Sequence, residues 1–351
     1  MEGISDRMKI VDNKCTSCGA VLEYNIDKKK FICKFCRKEY ENNEVIGKKH
    51  NVVTSVKELI CPNCRAVLIV EENVISSKCI YCLNNVIVSK SNDNISTPEK
   101  IILFSISKEK ALYKLESSLY NKKLLPKRFD INKSINDIVG VYVPFWLYSN
   151  EYKVNIKYKN DDINSTFNNT AYGVLNNAKE KKANIKFKLI PFDANKHLSN
   201  KLTKALEPFD YSELIPFDTA YLSGFLGQKY DVESNEGISE IEKRCNNTIS
   251  NVFNSVKSKY YIKDIVMINN KKLNEEKYYA LLPIWLVNIE YHKKNYFIAI
   301  NGQTGKIAGS LPIDKNKYRI ITLASFIIIF IILMIIVYSL RWGGLLWLGN
   351  F

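Results

Sequence analysis

The 351-residue sequence predicts an α+β protein with two small cysteine-rich modules, a mainly antiparallel α+β domain and one C-terminal transmembrane helix. Three observations predict this class. Eight of the nine cysteines follow one spacing written twice, a section with both helical and strand periodicity comes next, and an uncharged apolar run lies near the C-terminus. Module 1 is predicted at residues 10–42, module 2 at 57–90, a polar linker at 89–100 and the domain at 101–312.

Each module carries two C-x2-C pairs that are separated by fourteen residues. Every cysteine of module 2 lies 46 residues after its counterpart in module 1. Two such pairs on facing hairpins bring four sulfurs to one tetrahedral site, with Zn–S distances of about 2.3 Å. The sequence therefore predicts two tandem zinc ribbons, whose ligands are Cys15, Cys18, Cys33, Cys36, Cys61, Cys64, Cys79 and Cys82.

The two predicted Zn²⁺ ions are structural, because a closed set of four thiolates has no open coordination position for a substrate. Each module is too small to bury a hydrophobic core, so metal binding is expected to hold it folded. Iron in a rubredoxin-like site fits the same ligands. A cross-braced pairing of the two sets is a further alternative, although the constant 46-residue shift favours two sequential sites. Disulfides would need an oxidising compartment, which the predicted topology disfavours.

The apolar run from Ile320 to Leu340 has 21 residues, with no charge and no proline. A helix of this length covers roughly 30 Å, the thickness of the hydrocarbon core of a bilayer. Three basic residues precede the run, namely Lys315, Lys317 and Arg319. By the positive-inside rule they place the N-terminal bulk in the cytoplasm. We therefore expect a single-pass, tail-anchored protein of the plasma membrane, with a short external tail at 341–351.

The net charge of +15 is compatible with nucleic acid, with anionic lipid, or with a solvated lysine-rich surface. From Lys14 to Tyr40, module 1 has seven Lys or Arg against three acids, whereas module 2 has three against two from Ile60 to Lys90. Both modules should be basic if both bound phosphates. The aromatic residues between paired cysteines are Phe35 and Tyr81, and such residues can stack on bases. Nucleic acid is therefore the less favoured partner.

The domain contains two sections with the same predicted order of a helix and a hairpin. "IILFSI" at 101–106 is typical of a strand, and a helix after Ser107 has a leucine stripe. A capping box from Ser239 to Glu242 is expected to open the second helix. The apolar stripe of that helix is predicted as Ile241, Cys245, Ile249, Val252 and Val256, which makes Cys245 a core residue and not a ligand.

Five residues near the first hairpin recur at a constant shift of 139. They are Pro144, Trp146, Leu147, Glu151 and Tyr152, which match Pro283, Trp285, Leu286, Glu290 and Tyr291. This match predicts an internal duplication, with residues 160–236 inserted between the copies. The two matched tryptophans are expected to pack in the core.

No sequence motif supports an enzyme or a small-molecule substrate. "NGQTGK" at 301–306 lacks the Lys-Ser or Lys-Thr ending of a phosphate-binding loop, and its two Gly positions predict a hairpin turn. The three histidines match no metal-site or catalytic-triad spacing.

The tandem ribbons, "VPFWLY", "LIPFDTAYLSGFLGQKYDV", "LLPIWLV", "NGQTGKIAG" and the terminal apolar span together resemble the TFIIB-type zinc-ribbon membrane proteins of Gram-positive bacteria. The resemblance covers nearly the whole chain. Members are often labelled primosomal helicases, but this sequence lacks the nucleotide-binding motifs that such a name requires. The resemblance implies a membrane-bound adaptor whose eight cysteines bind zinc, with no catalytic residue. It also implies cytosolic partners, such as flotillin-like or phage-shock-type proteins of envelope stress.

Two functions are consistent with these observations. The first is a tail-anchored zinc-ribbon scaffold that presents surfaces for cytosolic or membrane proteins at the inner face of the plasma membrane, held there by the lipid bilayer. The alternative is a membrane-tethered zinc-ribbon protein that binds nucleic acid.

Overall fold

The structure is a computed structural model, and the residues that it describes fall into the following ranges: 9–11, 14–46, 53–61, 63–71, 76–79, 81, 85–87, 98–120, 122–127, 129–160, 179–259 and 262–347. The predicted ligand Cys82 and most of the predicted linker at 89–100 lie outside the described residues.

The described strands and helices confirm the α+β class. The strands are β1 (Lys9–Val11), β2 (Leu22–Asn25), β3 (Lys30–Cys33), β4 (Glu39–Tyr40), β5 (Val53–Ile60), β6 (Val67–Glu71), β7 (Ser76–Lys78), β8 (Asn85–Ile87), β9 (Lys100–Ile101), β10 (Ile135–Asn160), β11 (Lys179–Asp193), β12 (Ile215–Pro216), β13 (Leu226–Gln228), β14 (Ile262–Tyr291), β15 (Lys294–Asn301) and β16 (Ile307–Gly309). The helices are α1 (Asn42–Val45), α2 (Lys108–Tyr120), α3 (Ile131–Ser134), α4 (Asn200–Leu206), α5 (Ile238–Lys259) and α6 (Lys315–Trp347).

Module 1 forms its own three-stranded sheet, in the order β2-β3-β4, whereas module 2 joins the sheet of the domain. The main sheet runs in the order β1-β5-β6-β13-β10-β14-β15-β16, with β11 beside β10. All its pairings are antiparallel except β10 with β13 and β14 with β9. The predicted mainly antiparallel architecture is therefore confirmed.

The apolar run of β14 is explained by burial on both faces. Leu281, Trp285 and Val287 belong to the cluster that packs under α2, whereas Leu282 and Ile284 belong to a second cluster on the opposite face. A strand that is covered on both faces is apolar at nearly every position, which the sequence "ALLPIWLV" shows. This strand is the centre of the domain.

Beyond this centre, β10, β11 and β14 continue as a three-stranded arm that α5 covers on one face. Alternate residues of β10 contact α5, as the period of two in a strand requires. They are Tyr148, Tyr152, Val154 and Ile156, and they pack with Ile241, Cys245, Ile249 and Phe253 of α5. The predicted core position of Cys245 is confirmed.

Two details of the predicted α5 are wrong. The helix is opened by a 3-10 turn, in which Glu233 and Glu236 form the capping box that was expected at Ser239 and Glu242. Val252 is exposed, and the adjacent Phe253 is buried in its place, because the larger ring reaches the arm. The side chain of Val256 lies outside the described part of the chain.

The predicted strand at 101–106 is also too long, since only Lys100 and Ile101 are paired as a strand. The chain then leaves β14 and turns toward the β15–β16 hairpin, where Ser105 and Ile106 both donate their N–H groups to the carbonyl of Gly302. The segment is apolar because it is buried, not because it is extended. In contrast, residues 301–306 form the predicted hairpin turn, with Asn301 N–H bonded to the Lys306 carbonyl at 2.8 Å.

Helix α2 precedes β10 and helix α5 precedes β14, which is the order that the predicted duplication requires. Residues 161–178, inside the predicted insertion, lie outside the described residues. Both matched tryptophans pack in the domain. The indole N–H of Trp146 donates to Val232 and that of Trp285 to Ile106, each at 2.9 Å. The duplication itself stays a prediction.

Helix α6 extends the predicted span of 320–340 at both ends, to Lys315 and Trp347. Within the described residues it is the one helix that is long and apolar enough to cross a membrane, and none of its 25-residue candidate span at Lys315–Ser339 is buried in the protein. Residues 341–347, predicted as tail, are helical. The start of α6 is tied to the domain, because Lys317 Nζ donates to the carbonyl of Leu125 at 2.6 Å.

Candidate metal centres

Three of the four cysteine pairs lie in knuckles with the same backbone geometry. The residue four positions after the first cysteine has a positive φ, which turns its N–H back toward the carbonyl of that cysteine. The donors are Gly19, Arg37 and Arg65, with φ values of 76°, 62° and 61°. Their N–H groups donate to the carbonyls of Cys15, Cys33 and Cys61 respectively, each with an N–O distance of 2.8 Å. Only the glycine gives a sequence signal for this conformation, so the two arginines could not be recognised in advance.

The first cysteine of each of these knuckles also donates its own N–H to the carbonyl five positions on. These distances are 2.7 Å for Cys15, 3.0 Å for Cys33 and 2.9 Å for Cys61. The two reciprocal hydrogen bonds close a tight loop, from which both sulfurs of a C-x2-C pair project toward one point.

Cluster 1 contains Cys15, Cys18, Cys33 and Cys36, whose sulfurs all lie within 4.8 Å of one another. The Sγ atoms of Cys15 and Cys36 are 3.3 Å apart, and those of Cys18 and Cys33 are 3.4 Å apart. A tetrahedral zinc thiolate site with the Zn–S distance given above separates its sulfurs by about 3.8 Å. Cluster 1 therefore fits a metal ion, and its sulfurs are too far apart for disulfide bonds.

Cluster 2 contains Cys61, Cys64 and Cys79, again with sulfurs within 4.8 Å of one another. The Sγ atoms of Cys64 and Cys79 are 3.5 Å apart, and Cys82 lies outside the described residues. Both clusters could bind a metal ion. The sets are sequential, since no cysteine of one cluster is grouped with a cysteine of the other in the described part of the chain.

Tyr40 supports cluster 1 from outside the ligand set. Its hydroxyl lies 3.1 Å from the sulfur of Cys15 and accepts the backbone N–H of Thr16 at 3.0 Å. This hydroxyl, together with the N–H of Ser17, lowers the pKa of Cys15 to about 5, although burial opposes the shift. The thiolate is the form that binds metal, so Tyr40 favours binding. The position 46 residues later holds Val86, and sequence reasoning missed this asymmetry.

Cluster 1 has a second buried sulfur that favours the thiolate. The N–H of Cys36 lowers the pKa of Cys33, assisted by the sulfur of Cys18 and the N–H of Phe35. The two buried cysteines, Cys15 and Cys33, come from different knuckles. Each knuckle thus has one buried cysteine whose lowered pKa favours the thiolate form.

Module 1 docks on the domain through the face of its small sheet. Tyr24 and Phe31 pack on the ring of Tyr221, with centroid distances of 5.7 and 5.9 Å. The hydroxyl of Ser223 donates to the carbonyl of Leu22 at 2.7 Å. All three rings are at least 93% buried, so the contact excludes water.

Module 2 docks differently, through one of its knuckles. Tyr81 stands between two of the predicted ligand cysteines, stacks on His197 with ring centroids 5.2 Å apart, and donates its hydroxyl to Oε1 of Gln228. Nδ2 of Asn195 donates to both oxygens, at 2.9 Å to Tyr81 and 2.6 Å to Gln228. Burial raises the pKa of Tyr81 far above its ordinary value. The partly buried ring packs against the second core cluster.

One segment, Thr219–Gln228, contacts both modules. Tyr221 and Ser223 hold module 1, and Leu226–Gln228 is strand β13, which pairs with β6 of module 2 on one side and with β10 on the other. The sequence indicated this segment only through the family resemblance. The structure places one end of the segment against module 1 and the other, as β13, inside the main sheet between β6 and β10.

The three acids counted in module 1 all form ion pairs with lysines, which leaves the net positive charge of the module unchanged. The pairs are Glu23 with Lys34 at 2.6 Å, Asp27 with Lys110 at 2.5 Å, and Glu39 with Lys28. Phe35, the counterpart of Tyr81 in module 1, is 83% exposed. An exposed aromatic ring at the tip of a knuckle is the most prominent apolar feature of this module.

The sequence is similar to the uncharacterized protein YdjG of Bacillus subtilis (strain 168), with 28% identity over 322 residues. The alignment covers 88% of this chain and 92% of that protein. No protein-family model matches the sequence, and no solved structure matches it.

Proposed function

We propose that the protein is a tail-anchored zinc-ribbon adaptor at the inner face of the plasma membrane, with a binding role and no catalytic one. In this proposal, each cysteine cluster holds one structural Zn²⁺, and Cys82 completes the second site. Four thiolates without an open position suit zinc in a structural role. The hydrogen bond of Tyr40 to Cys15 and the reciprocal backbone bonds of the knuckles support metal binding.

Helix α6 is the proposed anchor. The lysines and the arginine at its start favour an orientation with residues 1–319 in the cytoplasm. Lys317 and the N–H of Asp314 are bonded to the carbonyls of Leu125 and Leu124, at 2.6 and 2.9 Å. The connection between helix and domain is therefore short and ordered. An adaptor built in this way would present its modules at a fixed position relative to the membrane.

The exposed ring of Phe35 is the observation that carries the proposal of a protein partner. A large aromatic side chain on a rigid knuckle is a typical anchor of a protein interface. Nucleic-acid binding is less favoured, because one face of Tyr81 already stacks on His197. In addition, three lysines of module 1 are engaged in ion pairs with acids, namely Lys28, Lys30 and Lys34. By the family resemblance, we propose envelope-stress proteins of the flotillin-like or phage-shock type as the partners.

The test is a crosslinking pull-down of the full-length protein from bacterial membranes, comparing Phe35→Ala with Tyr113→Ala. Tyr113 is 71% exposed on α2 and lies outside both modules, so it is the matched control. We expect a partner that is lost with Phe35→Ala and kept with Tyr113→Ala. If every captured protein is kept in both variants, the proposed interface is wrong.

A second measurement distinguishes the adaptor from the alternative function, nucleic-acid binding. The zinc-loaded protein in detergent is titrated with DNA and RNA at two salt concentrations, because phosphate contacts weaken steeply as salt rises. Tight, salt-sensitive binding that Phe35→Ala removes would establish the nucleic-acid function in place of the adaptor.

A further inference from the structure

A surface cleft of about 680 Å³ lies between module 2, helix α4 and the β15–β16 hairpin. Tyr81 of module 2 forms one wall, Leu198 and Leu202 line the side of α4, and Phe297 and Ala308 line the side of the hairpin. A volume of this size accommodates a small organic molecule. Because Tyr81 lies in the knuckle of cluster 2, the shape of the cleft depends on that knuckle.

Asn288 is an unusual residue in this cleft. It follows Leu282, Ile284 and Leu286 at a period of two on β14, so it occupies a position where the strand otherwise carries core residues. Its side chain is 7% exposed, and its Nδ2 has no hydrogen-bond partner among the described residues. A buried amide donor without a partner is unfavourable for folding. Because Asn288 lines the cleft, an acceptor on a ligand bound there would satisfy this donor after a small turn of the side chain.

The remaining polar groups of the cleft are also suited to an acceptor-rich ligand. Lys201 and His197 contribute a cation and an imidazole, Ser199 and Ser310 contribute hydroxyls, and among the described residues the lining contains no Asp or Glu. His197 also faces Asp231, with Nε2 and Oδ2 at 3.2 Å. The donors come from two walls of the cleft, namely the sheet of β14–β16, which carries Asn288 and leads to Ser310, and helix α4 with the turn before it.

We propose that this cleft binds a phosphate ester that carries an apolar group. The four oxygens of a phosphate ester point in tetrahedral directions, three of them terminal in a monoester and two in a diester, and can meet donors on different sides, whereas a carboxylate offers two oxygens in one plane. The apolar walls on α4 and the hairpin accommodate the organic part. The ligand is either the headgroup of a membrane lipid or a soluble phosphate ester. This binding site goes beyond the adaptor function and does not depend on it.

The position of the cleft is compatible with a lipid source. Ser310 lies five residues before the start of α6 at Lys315. Five residues of extended chain span at most roughly 17 Å. The apolar part of α6 begins at Ile320, about 8 Å further along the helix at 1.5 Å per residue. The phosphates of the membrane surface are therefore within reach of the domain.

The experiment uses the full-length, zinc-loaded protein in dodecyl maltoside, a detergent without phosphate. Native mass spectrometry counts bound phosphatidylglycerol, and calorimetry measures binding of glycerol 3-phosphate and of dodecanoate, which carries a carboxylate on an apolar chain. We expect one lipid or one phosphate ester per chain, with at least tenfold weaker binding in Asn288→Leu and in Lys201→Gln. The matched controls, Asn184→Leu and Lys108→Gln, change exposed residues outside the cleft and should bind as the wild type does.

The same variants also test a merely structural role of the cleft residues. Leucine has nearly the shape of asparagine and adds no polar group, so Asn288→Leu should melt at the same or a higher temperature while it loses the ligand. Binding of the lipid alone would identify the headgroup as the source, and equal binding of glycerol 3-phosphate would identify a soluble ester. Equal or tighter binding of dodecanoate, or no binding of any probe, would overturn the proposal and leave a water-filled cleft.

Discussion

Replacing Tyr81 by phenylalanine should weaken the metal site of module 2 without touching a ligand. The substitution keeps the ring that stacks on His197 but removes the hydroxyl, which donates to Gln228 and accepts from Asn195. Asn195 keeps its second bond to Gln228, at 2.6 Å. The change therefore removes two hydrogen bonds and leaves neither of these amide groups without a partner.

The expected magnitude follows from those two bonds. A buried hydrogen bond contributes about 1 kcal/mol net, so the loss is about 2 kcal/mol. If the knuckle docks on Gln228 only when metal holds it in shape, the whole loss appears in the zinc affinity of cluster 2, as a factor of about 30. Partial docking of the metal-free knuckle would reduce this factor.

The assay is a competition for zinc between the full-length protein and a chromophoric chelator, with both sites titrated. The matched control is Phe35→Leu, which changes the corresponding position of module 1, where the side chain is 83% exposed. We expect weaker binding at one site in Tyr81→Phe and no change in Phe35→Leu. An unchanged affinity in Tyr81→Phe, or an equal loss in both variants, would refute the reasoning that docking holds this knuckle.

Three further predictions concern other positions. Tyr40→Phe removes the hydroxyl that lowers the pKa of Cys15, so zinc binding at cluster 1 should weaken at least tenfold and require a higher pH. Cluster 2 should bind zinc as before. An equal change at both sites in the chelator assay would contradict this prediction. Arg65→Val places a β-branched residue at φ 61°. The backbone strain should destabilise the folded knuckle by about 1–3 kcal/mol and lower the zinc affinity of cluster 2. Arg65→Gly is the control and should keep the wild-type zinc affinity. Burial raises the pKa of Asp193 to about 7, against about 3.9 in an unfolded chain. Because the unfolded state loses this proton first, the free energy of unfolding should fall as pH rises from about 4 to about 7, by at most about 4 kcal/mol. Asp193→Asn should therefore raise the melting temperature relative to wild type more at pH 8 than at pH 5, and a constant difference would show that this carboxyl does not titrate in that range.

The sequence-based errors have a common physical cause. The segment 101–106 was predicted as a strand because it is apolar, but an apolar segment is also expected wherever a loop is buried. The capping box at Ser239 has the right residue types, yet the 3-10 turn at Ser234–Gly237 extends the helical path backwards and moves the cap to Glu233. Local sequence patterns indicate burial and secondary-structure propensity. They do not indicate which neighbouring segment forms hydrogen bonds with the backbone N–H and C=O groups.

Asn288 illustrates a signal that the sequence contains but does not explain. A polar residue that interrupts the alternation of Leu282, Ile284 and Leu286 is visible in the printed chain. Its meaning depends on α4 and the β15–β16 hairpin, which create a cleft at this point. Positions where a local rule fails are often functional sites, and this one could be recognised only after the fold was known.

The sequence by itself determined the two cysteine clusters and the apolar helix α6. Both depend on short-range spacing, since a C-x2-C knuckle is closed by hydrogen bonds within six residues and a helix is closed by bonds within five. Tertiary structure alone decided that the two modules, alike in spacing, contact the domain in different ways. Tyr81 packs against the core because Asn195 and Gln228, more than 110 residues away, supply its hydrogen-bond partners, whereas Phe35 is 83% exposed and faces outward. Burial is a property of distant chain segments that meet, so a 46-residue repeat cannot encode it.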